Sequence, residues 1–187
     1  DEDSRQALII DPGDEADYVS QEIELLQIKP ELIAVTHGHF DHVLGGMELK
    51  LIYGVDFACS SKDQFLLDRG VSSAEYFLKK KQPLKKLMKI DIDLDKIDEL
   101  RLGSNRIEVV KTPGHTPGSV CFYIEKQDIL ISGDTIFQTG IGRTDFAYSS
   151  EVEMKKSLET ILELPGETLL LPGHDESTTI AEWKRLG

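Results

Sequence analysis

All five histidines of this 187-residue chain fall in three short segments: Thr36-His37-Gly38-His39-Phe40-Asp41-His42, Pro113-Gly114-His115 and Pro172-Gly173-His174. Imidazole nitrogens and carboxylate oxygens gathered in this way are ligands for a divalent cation. Histidines at i and i+2 cannot share a helix face, but a tight loop can turn both rings toward one point. Asp41 and His42 follow directly, so the first segment alone offers four ligands, more than one open catalytic site takes, and a second ion is implied. Ser132-Gly133-Asp134-Thr135 adds a carboxylate in the same kind of setting. A solvated polar turn or a helix start capped by Asp41 would explain the first segment alone, and an ordinary turn histidine would explain His115 alone. Neither explains the three histidine segments together, which predict a two-metal hydrolytic centre.

Such a centre needs elements that hold these segments against one another. Each follows a strand-like apolar run: Leu32-Ile33-Ala34-Val35, Ile107-Glu108-Val109-Val110, Ile129-Leu130-Ile131 and Thr168-Leu169-Leu170-Leu171. Loops beyond the carboxyl ends of strands keep free polar groups on rigid bases, so the ligands are expected to cluster at one sheet edge. Glycines at 38, 114, 133 and 173 allow the backbone to crowd close to an ion. Ala16, Val19, Ile23 and Leu26 keep helical spacing after Asp14, and Ser150 with Glu153 forms a capping-box signal before Met154, Leu158 and Ile161. Gly103-Ser104 and Lys126-Gln127 each separate two strand-like runs and read as hairpin turns.

The motifs resemble those of the metallo-β-lactamase superfamily, and within it the single-domain, glyoxalase-II-like (hydroxyacylglutathione hydrolase-like) hydrolases. The resemblance spans nearly the whole chain: Ile10-Asp11-Pro12-Gly13, the H-x-H-x-D-H segment, Pro113 to Ser119, Ser132 to Thr135, Gly142-Arg143-Thr144-Asp145-Phe146, and Pro172-Gly173-His174 followed by Thr178-Thr179-Ile180. It implies an α/β fold, the αββα four-layer sandwich, and a place for two divalent metal ions, zinc first with iron or manganese as alternatives. One ion would sit on His37, His39 and His115, the other on Asp41, His42 and His174, with Asp134 bridging. It also implies hydrolysis of S-acylglutathione-type thioesters by hydroxide shared between the ions, oriented by Asp41. Asp11 would support the first metal loop as acceptor for an imidazole, or else serve as an ordinary turn aspartate. Arg143 and Asp145 would support the centre from behind, or form a simple ion pair that shapes their loop. Two other readings stand beside this one: a persulfide dioxygenase using a single iron, and a non-catalytic metal-binding module.

The family pattern places a strand pair before the Asp-Pro-Gly segment, whereas only Asp1 to Arg5 precede the strand Gln6 to Ile10, so the fold is expected to lack its first strands. Only 13 residues follow His174, too few for the helical glutathione-binding domain of larger relatives, and a single domain over 1–187 is expected.

Composition narrows the partners. With 21 basic and 34 acidic residues the net charge is −13, which opposes polyanions and excludes nucleic acid as a substrate. Lys79, Lys80, Lys81, Lys85, Lys86 and Lys89 are the local exception, readable as a solvated helix face or as attraction for an anionic thioester, with Lys79, Lys80 and Lys81 as the binding candidates. No apolar run approaches the ~20 residues of a membrane span, and the acidic start Asp1-Glu2-Asp3 is unlike the basic start of a signal peptide, so a cytoplasmic protein without membrane contact is expected. Cys59 and Cys121 lie outside the histidine segments and read as reduced core residues.

Overall fold

The computed structural model describes residues 1–82 and 89–186. Its first half alternates strand and helix: β1 Gln6–Ile10, α1 Ala16–Leu26, β2 Lys29–Ala34, α2 Phe40–Val43, α3 Gly46–Tyr53, β3 Asp56–Cys59, α4 Gln64–Leu78 and β4 Ile92–Asp93. These four strands form a parallel sheet in the order β1-β2-β3-β4, the helices serving as the crossovers that parallel neighbours require. Among the described residues no strand precedes β1, which forms one edge of this sheet. The second half is mostly strand: β5 Glu99–Leu102, β6 Asn105–Lys111, β7 Val120–Ile124, β8 Ile129–Gly133, α5 Glu151–Ile161, β9 Leu169–Pro172, β10 Thr178–Thr179 and α6 Ile180–Leu186. Its six strands form a second sheet, β10-β9-β8-β7-β6-β5, antiparallel except between β8 and β9.

Period-two alternation along these strands builds three cores. Ile9, Ile33, Val35, Phe57 and Cys59 point from the first sheet toward α1, α3 and α4, where Ile23, Leu49 and Leu67 meet them. Their neighbours Leu8, Ile10, Leu32, Ala34 and Ala58 point the other way and pack against Ile107, Val109, Val120 and Phe122 of the second sheet. Cys121, Tyr123, Leu130 and Leu170 face outward from that sheet onto Ile161 of α5 and Ile180 of α6. A core on each face of each sheet gives the order helix, sheet, sheet, helix, the expected αββα sandwich. Both cysteines are free and buried, as composition implied.

Local chemistry explains most boundaries. The β5–β6 turn closes through Gly103, with φ +57°, and the β7–β8 turn through Asp128, with φ +52°. β2 begins earlier than its apolar run suggests, passing through Pro30. Proline gives the ladder no N–H, and the register against β1 slips there, Ala7 facing Pro30 and Leu8 facing Leu32. Ser150 caps α5 by accepting from the Glu153 N–H at 3.2 Å, but the box is one-sided because the Ser150 N–H donates to Gly114 O at 2.8 Å. That bond ties the start of α5 to the His115 segment. In α1 the periodicity overreached: Ile23 is buried, whereas Leu26 is 54% exposed at the end of the helix.

Candidate metal centre

The four ligand segments follow β2, β6, β8 and β9. They gather where the carboxyl ends of strands from both sheets meet, which corrects the expectation of one sheet edge, since β2 belongs to the first sheet and the others to the second. The first segment is also less of a loop than expected: His39 stands at the N-terminus of α2, with Asp41 and His42 inside that single turn of helix. Backbone fit requires glycine in all four segments, at 38, 114, 133 and 173. A Cβ on Gly133, with φ +49°, would lie 2.2 Å from Thr36 Oγ1, and one on Gly173 would lie 2.6 Å from Asp134 Oδ1.

Two groups of donor atoms result. His37 Nε2 and His115 Nε2 lie 2.9 and 3.0 Å from His39 Nδ1. Beside them, His174 Nε2 is 3.4 Å and His42 Nε2 is 4.0 Å from Asp41 Oδ2. Asp134 stands between, Oδ1 3.3 Å from His42 Nε2, Oδ2 3.6 Å from His115 Nε2 and 3.8 Å from His174 Nε2. Donors at the corners of a tetrahedron with legs of about 2.05 Å are about 3.3 Å apart, so these spacings suit cations. His42 Nε2 and Asp134 Oδ1 are buried without a directed hydrogen-bond partner among the described residues, which fits donor atoms for a cation.

The opposite ring nitrogens are all engaged except in His174, which has no such partner among the described residues. His115 Nδ1 meets the Arg143 carbonyl at 2.9 Å, which can only accept, so Nε2 presents a lone pair to the centre. His42 Nδ1 meets Asp11 Oδ2 at 2.9 Å, and His37 Nδ1 meets Thr36 Oγ1 at 3.1 Å. The Thr36 hydroxyl donates in turn to Asp11 Oδ2 at 2.6 Å, and the Thr36 N–H donates to Asp11 Oδ1 at 2.7 Å. Asp11 thus stands under both donor groups, holding a left-handed φ of +46° that costs a non-glycine residue about 1 kcal/mol or more. His39 Nε2 meets Tyr148 Oη at 2.7 Å.

Charge follows from this crowding. Burial, then the neighbouring histidines, hold His37 well below the ordinary imidazole range. Burial and His115 bring His39 down to about 4. Burial also presses on His42, but Asp11 and Asp134 outweigh it and raise His42 to about 10. His42 in return outweighs burial at Asp134 and lowers its pKa.

Other expected residues land in various places. Arg143 and Asp145 form a two-pronged ion pair at 2.9 Å with both side chains about two-thirds exposed, so the contribution of residue 143 to the histidines is its backbone carbonyl. Lys79, Lys80 and Lys81 are exposed just beyond α4 and do not line the cavity at the centre. Lys89 is exposed as well, while Lys85 and Lys86 lie outside the described residues.

Three residues escaped sequence reasoning. Asp63 is fully buried and accepts from the Gly38 N–H at 2.9 Å, the Gly118 N–H at 2.8 Å and the Thr116 hydroxyl at 2.7 Å, clamping the first histidine segment to the second. Burial raises its pKa despite these bonds. Tyr148 and Arg69 line the cavity of about 560 Å3 above the donor groups, Tyr148 stacked on Phe146 with ring centres 5.3 Å apart. Tyr148 lies only two residues past a quoted motif; Asp63 and Arg69 carry no local signal.

Comparison with known proteins agrees with this architecture. The chain is 35% identical to "Hydroxyacylglutathione hydrolase GloC" of Haemophilus influenzae over 98% of its own length and 87% of that protein's. Among solved structures it resembles BLEG-1 B3 metallo-beta-lactamase (TM-score 0.87, 31% identity, 96% of this chain and 86% of the other). It also resembles TTHA1623 in a di-iron-bound form (0.84, 29%, 95% and 86%) and ETHE1 from Myxococcus xanthus (0.77, 29%, 99% and 74%). The profile of the Metallo-beta-lactamase superfamily matches residues 2–174, from before β1 to the last histidine, and the chain therefore belongs to that superfamily.

Proposed function

We infer that this member of the superfamily is a thioesterase acting on S-acylglutathione-type thioesters with two divalent cations. His37, His39 and His115 would hold one, Asp41, His42 and His174 the other, and Asp134 would bridge them. Zinc is the first choice, and nitrogen and oxygen donors also accept iron or manganese. The observation that carries this reading is the contiguity of the two donor groups through Asp134, at the floor of a cavity large enough for a tripeptide-sized thiol. Bound divalent cations supply an acidified water near neutral pH and a Lewis acid for a carbonyl oxygen.

The rest falls to the chain itself. Phe137, Phe146 and Tyr148 wall the cavity, and a substrate seated against them would displace water and so strengthen the charge interactions beneath it. Apart from the seven proposed ligands, the charged side chains among the described residues of its wall are Arg69 and Arg143. Arg143 is already paired with Asp145, which leaves Arg69 as the cation of the wall best placed to meet an anionic substrate in a chain of net charge −13, beside any longer-range attraction from Lys79, Lys80 and Lys81. Asp41, at the rim of the cavity, would orient the attacking water. Among the described residues no helix is long and apolar enough to cross a membrane. The proposed setting is the cytoplasm, with Cys59 and Cys121 reduced.

The reading is tested by loading the protein with zinc, iron or manganese and following thiol release from S-lactoylglutathione, alongside elemental analysis. Two ions per chain and turnover are expected. No thiol from any S-acylglutathione would refute the reaction, and one iron with no second metal would favour the persulfide dioxygenase.

A further inference from the structure

Tyr148 occupies a position that its neighbours fix firmly. Directly after it, Ser149 Oγ donates to the His115 carbonyl at 2.7 Å and the Ser150 N–H donates to the Gly114 carbonyl at 2.8 Å, so this stretch of backbone is bolted to the His115 segment. The ring is held between Phe146, nearly parallel at 15°, and Phe65, edge-on at 5.2 Å. Only the hydroxyl is left to act, and it meets His39 Nε2 while lining the cavity.

The tautomer of His39 decides what that hydroxyl can do. His39 Nδ1 converges with two other ring nitrogens, and a cation held there needs its lone pair, which leaves the ring proton on Nε2. Nε2–H then donates and Tyr148 Oη accepts. The hydroxyl's own hydrogen finds no other acceptor among the described residues, and the space before it is the cavity.

We propose that Tyr148 is a substrate-binding hydrogen-bond donor: while accepting from His39, it directs its hydroxyl hydrogen at the oxygen of a bound acyl compound that gains charge during attack. No proton leaves the tyrosine. The donor sits beside the cation group built on His39, so it reaches the same oxygen that a Lewis acid would polarise, and its strength benefits from the apolar wall of Phe146 and Phe65. The proposal rests on the cation-binding reading and uses the thioester reading only for its first probe.

The test compares wild type with Tyr148→Phe at saturating zinc, with metal content verified in both, using S-lactoylglutathione and, in parallel, 4-nitrophenyl acetate. Expected is a fall in kcat of about 100-fold, the size seen when one oxyanion donor is removed, with KM changed less than about threefold. Zinc affinity, read by competition with a chromophoric chelator, should fall about tenfold as His39 loses its partner. Unchanged kcat with either compound would overturn the proposal, and so would absence of turnover with both. Failure with S-lactoylglutathione and with other S-acylglutathiones, while the ester turns over, removes the thioesterase reading and leaves the ester to judge Tyr148. A further measurement needs no variant: nitrogen NMR of the zinc-loaded wild type should show His39 protonated at Nε2, and metal at Nε2 would overturn the proposal as well.

Discussion

Asp63 offers the sharpest check on how the centre is held, because its role needs no metal and no substrate. Its carboxylate satisfies three buried donors at once, the N–H groups of Gly38 and Gly118 and the hydroxyl of Thr116. Asp63→Asn keeps the shape but turns one of the two oxygens into an NH2 group. If the remaining oxygen serves Gly38 and Thr116, the new donor faces the Gly118 N–H, and stranding one buried donor costs about 1–3 kcal/mol. Asp63→Ala strands both N–H groups, while the Thr116 hydroxyl can turn to Ser119 Oγ at 2.8 Å. Part of that loss is offset because burial already makes the charge costly, as its raised pKa reports, so about 2–5 kcal/mol is expected. Against a total stability of ~5–15 kcal/mol either change is large. Urea unfolding of the metal-free protein, followed by circular dichroism, would measure both, with exposed Asp68→Asn on α4 as the control. If Asp63→Asn came within about 0.5 kcal/mol of wild type, as surface changes do, the clamp would be no clamp.

Three further outcomes follow from the same geometry. Asp134→Ala should lower bound metal and thioester hydrolysis together; a variant that kept two ions and near-normal turnover would remove Asp134 from the bridge. Gly133→Ala should cost about 2–4 kcal/mol in thermal or urea unfolding, since the new methyl meets Thr36 at a left-handed φ, and an unshifted midpoint would contradict the contact. Asp63 also predicts a pH effect. Its folded pKa is raised, so its contribution to stability is full below the unfolded value of about 3.9 and is lost as pH rises through the folded value. The advantage of wild type over Asp63→Ala, which keeps neither acid nor amide, should therefore be largest near pH 4 and shrink above it, and a difference that grew with pH would show the sign to be wrong.

Histidine spacing, apolar alternation and turn residues carried much of this protein into view before any coordinates. His37, His39, Asp41, His42, His115, Asp134 and His174 each sit in a short segment after a strand, and a strand's period of two is readable wherever both its faces are buried. The hairpin at Gly103 and the cap at Ser150 are equally local, since each depends on a few neighbouring residues. What the chain hides is everything that depends on which segments meet. Ile9 and Ile10 are alike as letters, yet one faces a helix layer and the other a second sheet, and only sheet pairing separates them. Leu26 has the right spacing but lies where its helix has run past its partner. The lysines at 79 to 81 draw the eye by charge, yet they do not line the cavity, whereas Arg69, a single unremarked letter on α4, does. Asp63 and Tyr148 touch residues far away in the chain, 25 to 109 positions off, and no local pattern encodes a contact at that range. The candidate ligands are legible because a metal centre would demand those residue types; the groups that aim them were settled only by tertiary packing, because a hydrogen bond needs only a donor and an acceptor, which nearly every residue can supply.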